Sequence, residues 1–210
     1  MIETAAVSWS LSQDSASRTD SISLGNTVVH VGVSDHMEVQ VGWAPFTQIR
    51  SRDKAFNTVS RDSGSGDVSL TLMRGLAGAN GSVAVQVFVT VPTGKSPFGV
   101  GDWGAGARVP IQVALTKKIQ FSFTPEIDAA VNSNGTGRHI AYGSAAGIGF
   151  ALNGKLQLGT DISFFRDEDP AGASSCANAG LSLAYQAAKN TQFDICSRTP
   201  NTIAGPRSAL

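Results

Sequence analysis

From Ser82 to Val91 every second residue is valine: Val83, Val85, Val87, Val89 and Val91 alternate with Ser82, Ala84, Gln86, Phe88 and Thr90. Successive side chains of an extended strand point to opposite faces, so this segment sets an apolar face against a mixed one. The same period of two recurs at roughly 3–11, 20–33, 37–46, 67–75, 82–92, 103–115, 119–130, 139–152, 155–166 and 174–185, and a further segment begins at Thr191. Most of these runs have the ~9–11 residues that a tilted membrane strand needs. In the second run Ile22 and Leu24 fall on one face and Val29, Val31 and Val33 on the other, which predicts a bulge near Gly25 and Asn26.

The connections differ in length. Residues 34–36, 76–81, 116–118, 153–154 and 186–190 make short turns that alternate with longer connections at 12–19, 47–66, 93–102, 131–138 and 167–173. Short turns on one side and polar loops on the other suit a barrel inserted with its turns crossing the membrane. The phases agree with that reading. Apolar side chains share one phase in Val7, Trp9, Leu11; Met37, Val39, Val41, Trp43; Val109, Ile111, Val113; Phe121, Phe123, Ile127; Ile148, Phe150, Leu152; Leu156, Leu158, Ile162, Phe164; and Leu181, Leu183, Tyr185. The opposite phase mixes polar residues with Gly and Ala. Its candidate lumen-lining residues are Glu38, Gln40, Arg108, Gln112, Glu126, Asp128, Gly147, Asp161 and Asn178. A soluble two-sheet protein would pack its apolar phase inside and wet the other.

Composition narrows the function classes. Sixteen Lys and Arg balance sixteen Asp and Glu, which gives no electrostatic reason to expect nucleic acid. No run of ~18 apolar residues could form a membrane helix. The first residues, Met1 to Ser12, carry neither a basic start nor an apolar block, so an export signal is expected to lie outside this chain. The predicted fold is therefore all-β: an antiparallel up-and-down transmembrane barrel of about 10–12 strands over residues 1–196. An atypical, non-strand tail is expected at 197–210, because Pro200 and Pro206 lack donors and apolar alternation stops.

Leu24-Gly25-Asn26-Thr27, the stretch Gly32 to Trp43, Gly66-Asp67-Val68 and Val91-Pro92-Thr93-Gly94-Lys95 follow one another in an order that resembles the bacterial MetA-pathway of phenol degradation family. The likeness continues through Gly137-Arg138-His139 and Asp167-Glu168-Asp169-Pro170 to Phe193-Asp194-Ile195. It implies an outer-membrane barrel of about twelve strands with a role in passage of small, including aromatic, compounds. Members end on two further strands and an aromatic residue, whereas this sequence reads Cys196-Ser197-Arg198-Thr199-Pro200 to Ala209-Leu210, so the C-terminal strands are expected to be missing or altered.

Other motifs carry less. Gly99 to Gly104 fits GxGxxG, but a period-two segment follows where a dinucleotide site needs a helix. Gly94-Lys95-Ser96 resembles the end of a phosphate loop, yet Val89 stands where its first glycine belongs. His30, His36 and His139 have no partner at metal-ligand spacing, so neither metal nor cofactor is expected. His139 and Ser144 could supply a base and a nucleophile but occupy opposite phases, and no catalytic residue is assigned. Pairing Tyr185 with Thr191 sets Cys196 opposite Gly180, ~13 Å from Cys176 and beyond disulfide reach. Across the Thr116-Lys117-Lys118 turn, Leu115 facing Ile119 places Arg108 opposite Glu126 as an ion pair, and the remaining acids predict weak cation preference. The small inward phase of 139–152, centred on Gly147, predicts the widest part of a lumen.

The expected partners are outer-membrane lipid and a small-molecule solute, and the expected function is an outer-membrane channel or transport-related barrel. Alternatives are a non-conducting structural or binding barrel and an outer-membrane hydrolase. Conductance separates the first two, and ester hydrolysis identifies the third.

Overall fold

A computed structural model describes residues 1–13, 15–77 and 81–204. Fourteen strand segments account for its regular structure: β1 (Ile2–Gln13), β2 (Ser17–Ser34), β3 (Met37–Trp43), β4 (Phe46–Asp53), β5 (Val59–Gly64), β6 (Val68–Ala77), β7 (Gly81–Val91), β8 (Gly104–Arg108), β9 (Ile111–Ala114), β10 (Ile119–Val131), β11 (Arg138–Ala151), β12 (Leu156–Asp167), β13 (Ser174–Ala188) and β14 (Thr191–Ala204). β3 with β4, β5 with β6, and β8 with β9 are interrupted runs, leaving eleven strands among the described residues. The chain divides into two compact units, one of Met1–Met73, Phe88–Ala105 and Asn134–Gly137, the other of Arg74–Val87, Gly106–Ser133 and Arg138–Leu210.

In the first unit β2 is the organising strand, with β1 on one edge and β3 and β4 in succession on the other. The predicted phase change is present, but its cause is not a bulge. Pairing keeps one register through Thr27↔Trp43 and Leu24↔Phe46, and Gly25 instead takes φ +69°, a left-handed conformation natural to glycine. Exposed side chains accordingly switch from Ile22 and Leu24 to Val29, Val31 and Val33. Neighbouring strands switch with it, at Ala5 to Val7 in β1 and at Ala44-Pro45 between β3 and β4, so the crease crosses the sheet. The register shift in this pairing lies at Gly32/Ser34.

The expected loop at 47–66 contains the β4–β5 hairpin. Its sequence, FTQIRSRD and then VSRDSG, shows no continuous apolar stripe, so period-two apolarity gave no sign of it. Pairing with the first half of β2 supplies what apolar patterning does not, from Ser17↔Asp53 to Leu24↔Phe46, with hydroxyl pairs Thr19–Ser51 (3.2 Å) and Ser23–Thr47 (2.9 Å). Asp53 Oδ1 closes the hairpin by accepting from the amides of Ala55 (2.8 Å) and Phe56 (3.0 Å). At ~3.3–3.4 Å per residue, β2 is about 60 Å long, more than twice the ~25 Å apolar band of a barrel.

The second unit is a meander in which β14, β13, β12, β11, β10, β8 and β7 are successive neighbours, with β9 between β10 and β7. The expected strand 103–115 breaks at Val109-Pro110, since proline has no amide to donate. The ladder bridges the break: Val109 N donates to Pro125 O (3.1 Å) and Ala84 N to Pro110 O (3.0 Å). Side chains close the turns, with Thr116 Oγ1 accepting from Lys118 N and Ile119 N (3.1 and 3.0 Å) and Asn153 Oδ1 from Lys155 N and Leu156 N (2.8 and 3.0 Å).

Two C-terminal expectations are corrected. β14 does not stop near Cys196 but pairs with β13 as far as Ser174↔Ala204, so 197–204 is strand; residues 205–210 lie outside the described residues. Pro200, opposite Asn178, is tolerated because β14 has β13 as its neighbour on one side alone among the described residues, where an amide facing away from that neighbour is not needed. The register also differs, owing to an irregularity between Gln186 and Ala188: Tyr185 faces Phe193, and Cys196 faces Ser182 rather than Gly180. Both cysteines are free.

Polarity is inverted relative to a water-soluble fold. Among the described residues no hydrophobic side chain is buried, while Trp9, Ile162, Phe193 and Ile195 are 60%, 65%, 63% and 72% exposed. Buried polar side chains include Gln40, Thr71, His139 and Ser175. So extensive an apolar surface requires an apolar environment to cover it.

Candidate functional site

The polar phase of the first unit gathers around His30. Its Nδ1 lies 2.6 Å from Glu38 Oε1, its Nε2 lies 3.6 Å from Glu3 Oε1, and Gln40 Nε2 donates to the same Glu38 oxygen (2.8 Å). Glu38 and Gln40 are brought together because they stand two residues apart on β3, on the face opposite Val39 and Val41. Gln40, at 8% exposure, also approaches Met73 Sδ (3.9 Å).

In the second unit the predicted ion pair is present: Arg108 Nη1 lies 3.8 Å from Glu126 Oε2, and Arg108 Nε donates to Gln86 Oε1. The register behind it is also the predicted one, with Val113 facing Phe121 and Ile111 facing Phe123. Asp128 follows Glu126 on the same phase, and its Oδ1 is buried without a hydrogen-bond partner. Gln112, exposed, accepts from Gln120 Nε2 (3.1 Å). Asn178 Nδ2 donates to Ser163 Oγ (3.2 Å), and Asn178 Oδ1 lies 3.5 Å from the Cys176 thiol. Asp161 has a cation not foreseen from the sequence, Arg198 Nε at 3.5 Å, which reaches it because residue 198 lies in β14 and not in a non-strand tail.

Gly147 lies beside this last pair, but the space over it is not open. A Cβ there would come 2.9 Å from Ser122 Oγ, 3.2 Å from Thr160 O and 3.5 Å from Asp161 Cβ. A Cβ at Gly143 would collide with Phe164 O and the Phe165 ring, and one at Gly180 with the Asp161 carboxylate. Two glycines of β11 thus receive atoms of adjacent strands, Ser122 Oγ and Thr160 O at Gly147 and Phe164 O and the Phe165 ring at Gly143. Gly149 is the exception in β11, with its nearest neighbour, Gln120 O, 4.0 Å away.

The loop from Thr93 to Asp102 is held by Asp67. Its Oδ1 accepts from Gly94 N (2.7 Å) and its Oδ2 from Val100 N (2.8 Å), while Phe98 N and Gly99 N return to Lys95 O (2.7 and 3.0 Å). This is a tight turn without a helix, and a carboxylate already occupies two amides that a phosphate would need.

One cluster was not legible in the sequence. At the start of β11 and just beyond the end of β12, His139 Nε2 lies 2.8 Å from Asp167 Oδ1 and its Nδ1 lies 3.8 Å from Asp169 Oδ2. The β11–β12 register, Ala141↔Asp167, creates this meeting. Asp169 ties the surrounding loops together: its Oδ1 accepts from Ala171 N (2.7 Å) and Ser133 Oγ (3.3 Å), and its Oδ2 from Ser133 N (2.7 Å). The amides of Ala171 and Ser133 hold the Asp169 carboxyl below its ordinary pKa. The Ser133 hydroxyl is thereby engaged by a carboxylate, and Ser144 pairs with Phe164 on the phase opposite His139.

Residues 7–199 match the model of the family described as "Putative MetA-pathway of phenol degradation". The chain belongs to that family. The fold of this phenol-degradation family member is shared with the crystal structure of an outer membrane channel from Pseudomonas putida F1, at TM-score 0.64 and 14% identity, over 90% of this chain and 77% of that one. No curated protein matches the sequence. The shared fold is all-β and antiparallel, as its period-two patterning predicts.

Proposed function

We propose that this chain is a passive channel of the bacterial outer membrane for small solutes, aromatic or hydrophobic compounds among them, and that it performs no covalent chemistry. The observation that carries this reading is the inverted polarity: apolar side chains are exposed while polar ones are shielded and bonded to each other. In lipid, an outward apolar band is stabilising, and the polar phase is left to face a solvated interior. Glu38, Gln40, Arg108, Gln112, Glu126, Asp128, Asp161 and Asn178 would then line the path, setting charge and shape along it. The family's phenol-pathway description and the channel that shares the fold support the same role.

The test is reconstitution of the folded protein into planar bilayers after cell fractionation. Recovery in the outer membrane with discrete conductance steps is expected. Folded protein that inserts but never conducts would favour a structural or binding barrel, and recovery in a soluble fraction would remove the membrane reading altogether.

A further inference from the structure

We propose that His139, Asp167 and Asp169 form a binding site for a first-row divalent transition-metal ion, with Zn²⁺ the fitting probe, bracing the β10–β11 and β12–β13 connections. The three residues each offer one ligand atom, and these atoms lie within 4.8 Å of one another. With bonds of ~2.0–2.2 Å to nitrogen and oxygen, ligands of one tetrahedral ion stand roughly 3.3–3.5 Å apart, so shifts of about 1 Å complete the site.

The histidine supplies an independent indication. Its side chain is only 5% exposed, and its Nδ1 lies 3.0 Å from Asn132 Oδ1, an acceptor. That contact engages Nδ1 as a donor and leaves Nε2 as the nitrogen that would ligate, the arrangement of outer partners of metal-bound histidines. Nε2 is buried and has no hydrogen-bond partner, although Asp167 Oδ1 is only 2.8 Å away. The contact lacks hydrogen-bond geometry, and opening it from 2.8 Å to the ~3.3–3.5 Å between two ligands of one ion lies within the shift the site needs.

The donor set selects the class of ion. One imidazole nitrogen with two carboxylates suits zinc and its first-row neighbours better than magnesium or calcium, which take oxygen. Asp167, with a side chain 46% exposed, opens the site to solvent and leaves a position for water. Asp169 carries the bracing, since the same carboxylate holds Ser133 and Ala171.

The experiment uses the whole folded protein in detergent micelles, stripped with chelator and titrated with Zn²⁺ by calorimetry, then with Co²⁺ by visible absorption. One ion per chain is expected, with Co²⁺ d–d bands typical of mixed nitrogen and oxygen ligands. Asp167→Asn should weaken Zn²⁺ binding at least tenfold and alter the Co²⁺ bands. His36→Ala, an exposed histidine elsewhere, should change neither. Because the Asp167 side chain is half-exposed and asparagine keeps an oxygen for the Asp169 amide, its variant should fold, as checked by the heat-dependent gel shift of the folded protein; His139→Gln is the second variant. Absence of Zn²⁺ binding up to 1 mM would overturn the site and support an imidazolium–carboxylate pair, on the order of the weakest metal affinities proteins use. Equal affinity in wild type and both folded variants would overturn it as well.

Discussion

Replacing Arg108 with alanine removes a guanidinium 3.8 Å from Glu126 while leaving that carboxylate and Asp128 on the same phase. The stability effect should be small, because the Arg108 side chain is 36% exposed and such pairs contribute ~0–1 kcal/mol. The larger consequence is for passing ions. A monovalent ion about 7 Å from one unmasked unit charge, in water-like surroundings, gains or loses ~0.6 kcal/mol. Screening at 0.1 M salt, with a Debye length of ~10 Å, roughly halves this. Cations are then enriched about 1.7-fold and anions depleted about as much, so the K⁺/Cl⁻ permeability ratio should rise about threefold. At 1 M salt, where the Debye length is ~3 Å, most of the difference should vanish. Reversal potentials across a KCl gradient measure the ratio directly, and Arg108→Lys, which keeps the charge, should behave nearly as wild type. A folded Arg108→Ala channel with an unchanged ratio at low salt, or one shifted toward anions, would refute the placement of this pair beside the conducting path.

Other outcomes follow from the same geometry. Gly149→Ala should fold as wild type, since its nearest neighbour is 4.0 Å away, whereas Gly143→Ala should cost about 1–3 kcal/mol by forcing β12 aside, as measured by urea unfolding in lipid vesicles. Equal midpoints for the two variants would contradict the crowding over Gly143. Ile162→Arg, on the exposed apolar phase, should destabilise the inserted protein by ~2–4 kcal/mol if it lies near the bilayer centre, while Gln157→Arg on the other phase should be tolerated. The reverse order of effects would mean that the faces are assigned the wrong way round. Cys176 and Cys196 face Thr202 and Ser182, six residues apart along β13, or ~20 Å, so reducing and non-reducing gels should show one monomer mobility. An intramolecular disulfide in the folded protein would exclude this register.

Period-two apolarity marked most of the strands and the apolar face of each, because alternation is a property of the backbone itself and needs no distant partner. Turn chemistry extended this to pairing where the turn is regular: the Thr116-Lys117-Lys118 hairpin fixed the β9–β10 register and thereby predicted the Arg108–Glu126 contact. Elsewhere the decisive information was tertiary. An irregularity at Gln186/Ala188 moved Cys196 by two positions along β13, and pairing with β2 made strands of the polar segments β4 and β5. Having β13 alone as its neighbour among the described residues let β14 continue through Pro200 and bring Arg198 to Asp161. The space that the glycines of β11 do not fill is taken by Asp161 and Phe165 from the next strand. His139 meets Asp167 and Asp169 for the same reason, since residues far apart along the chain become neighbours only through the register of β11 on β12 and the loops that Asp169 binds, and neither is written in local spacing.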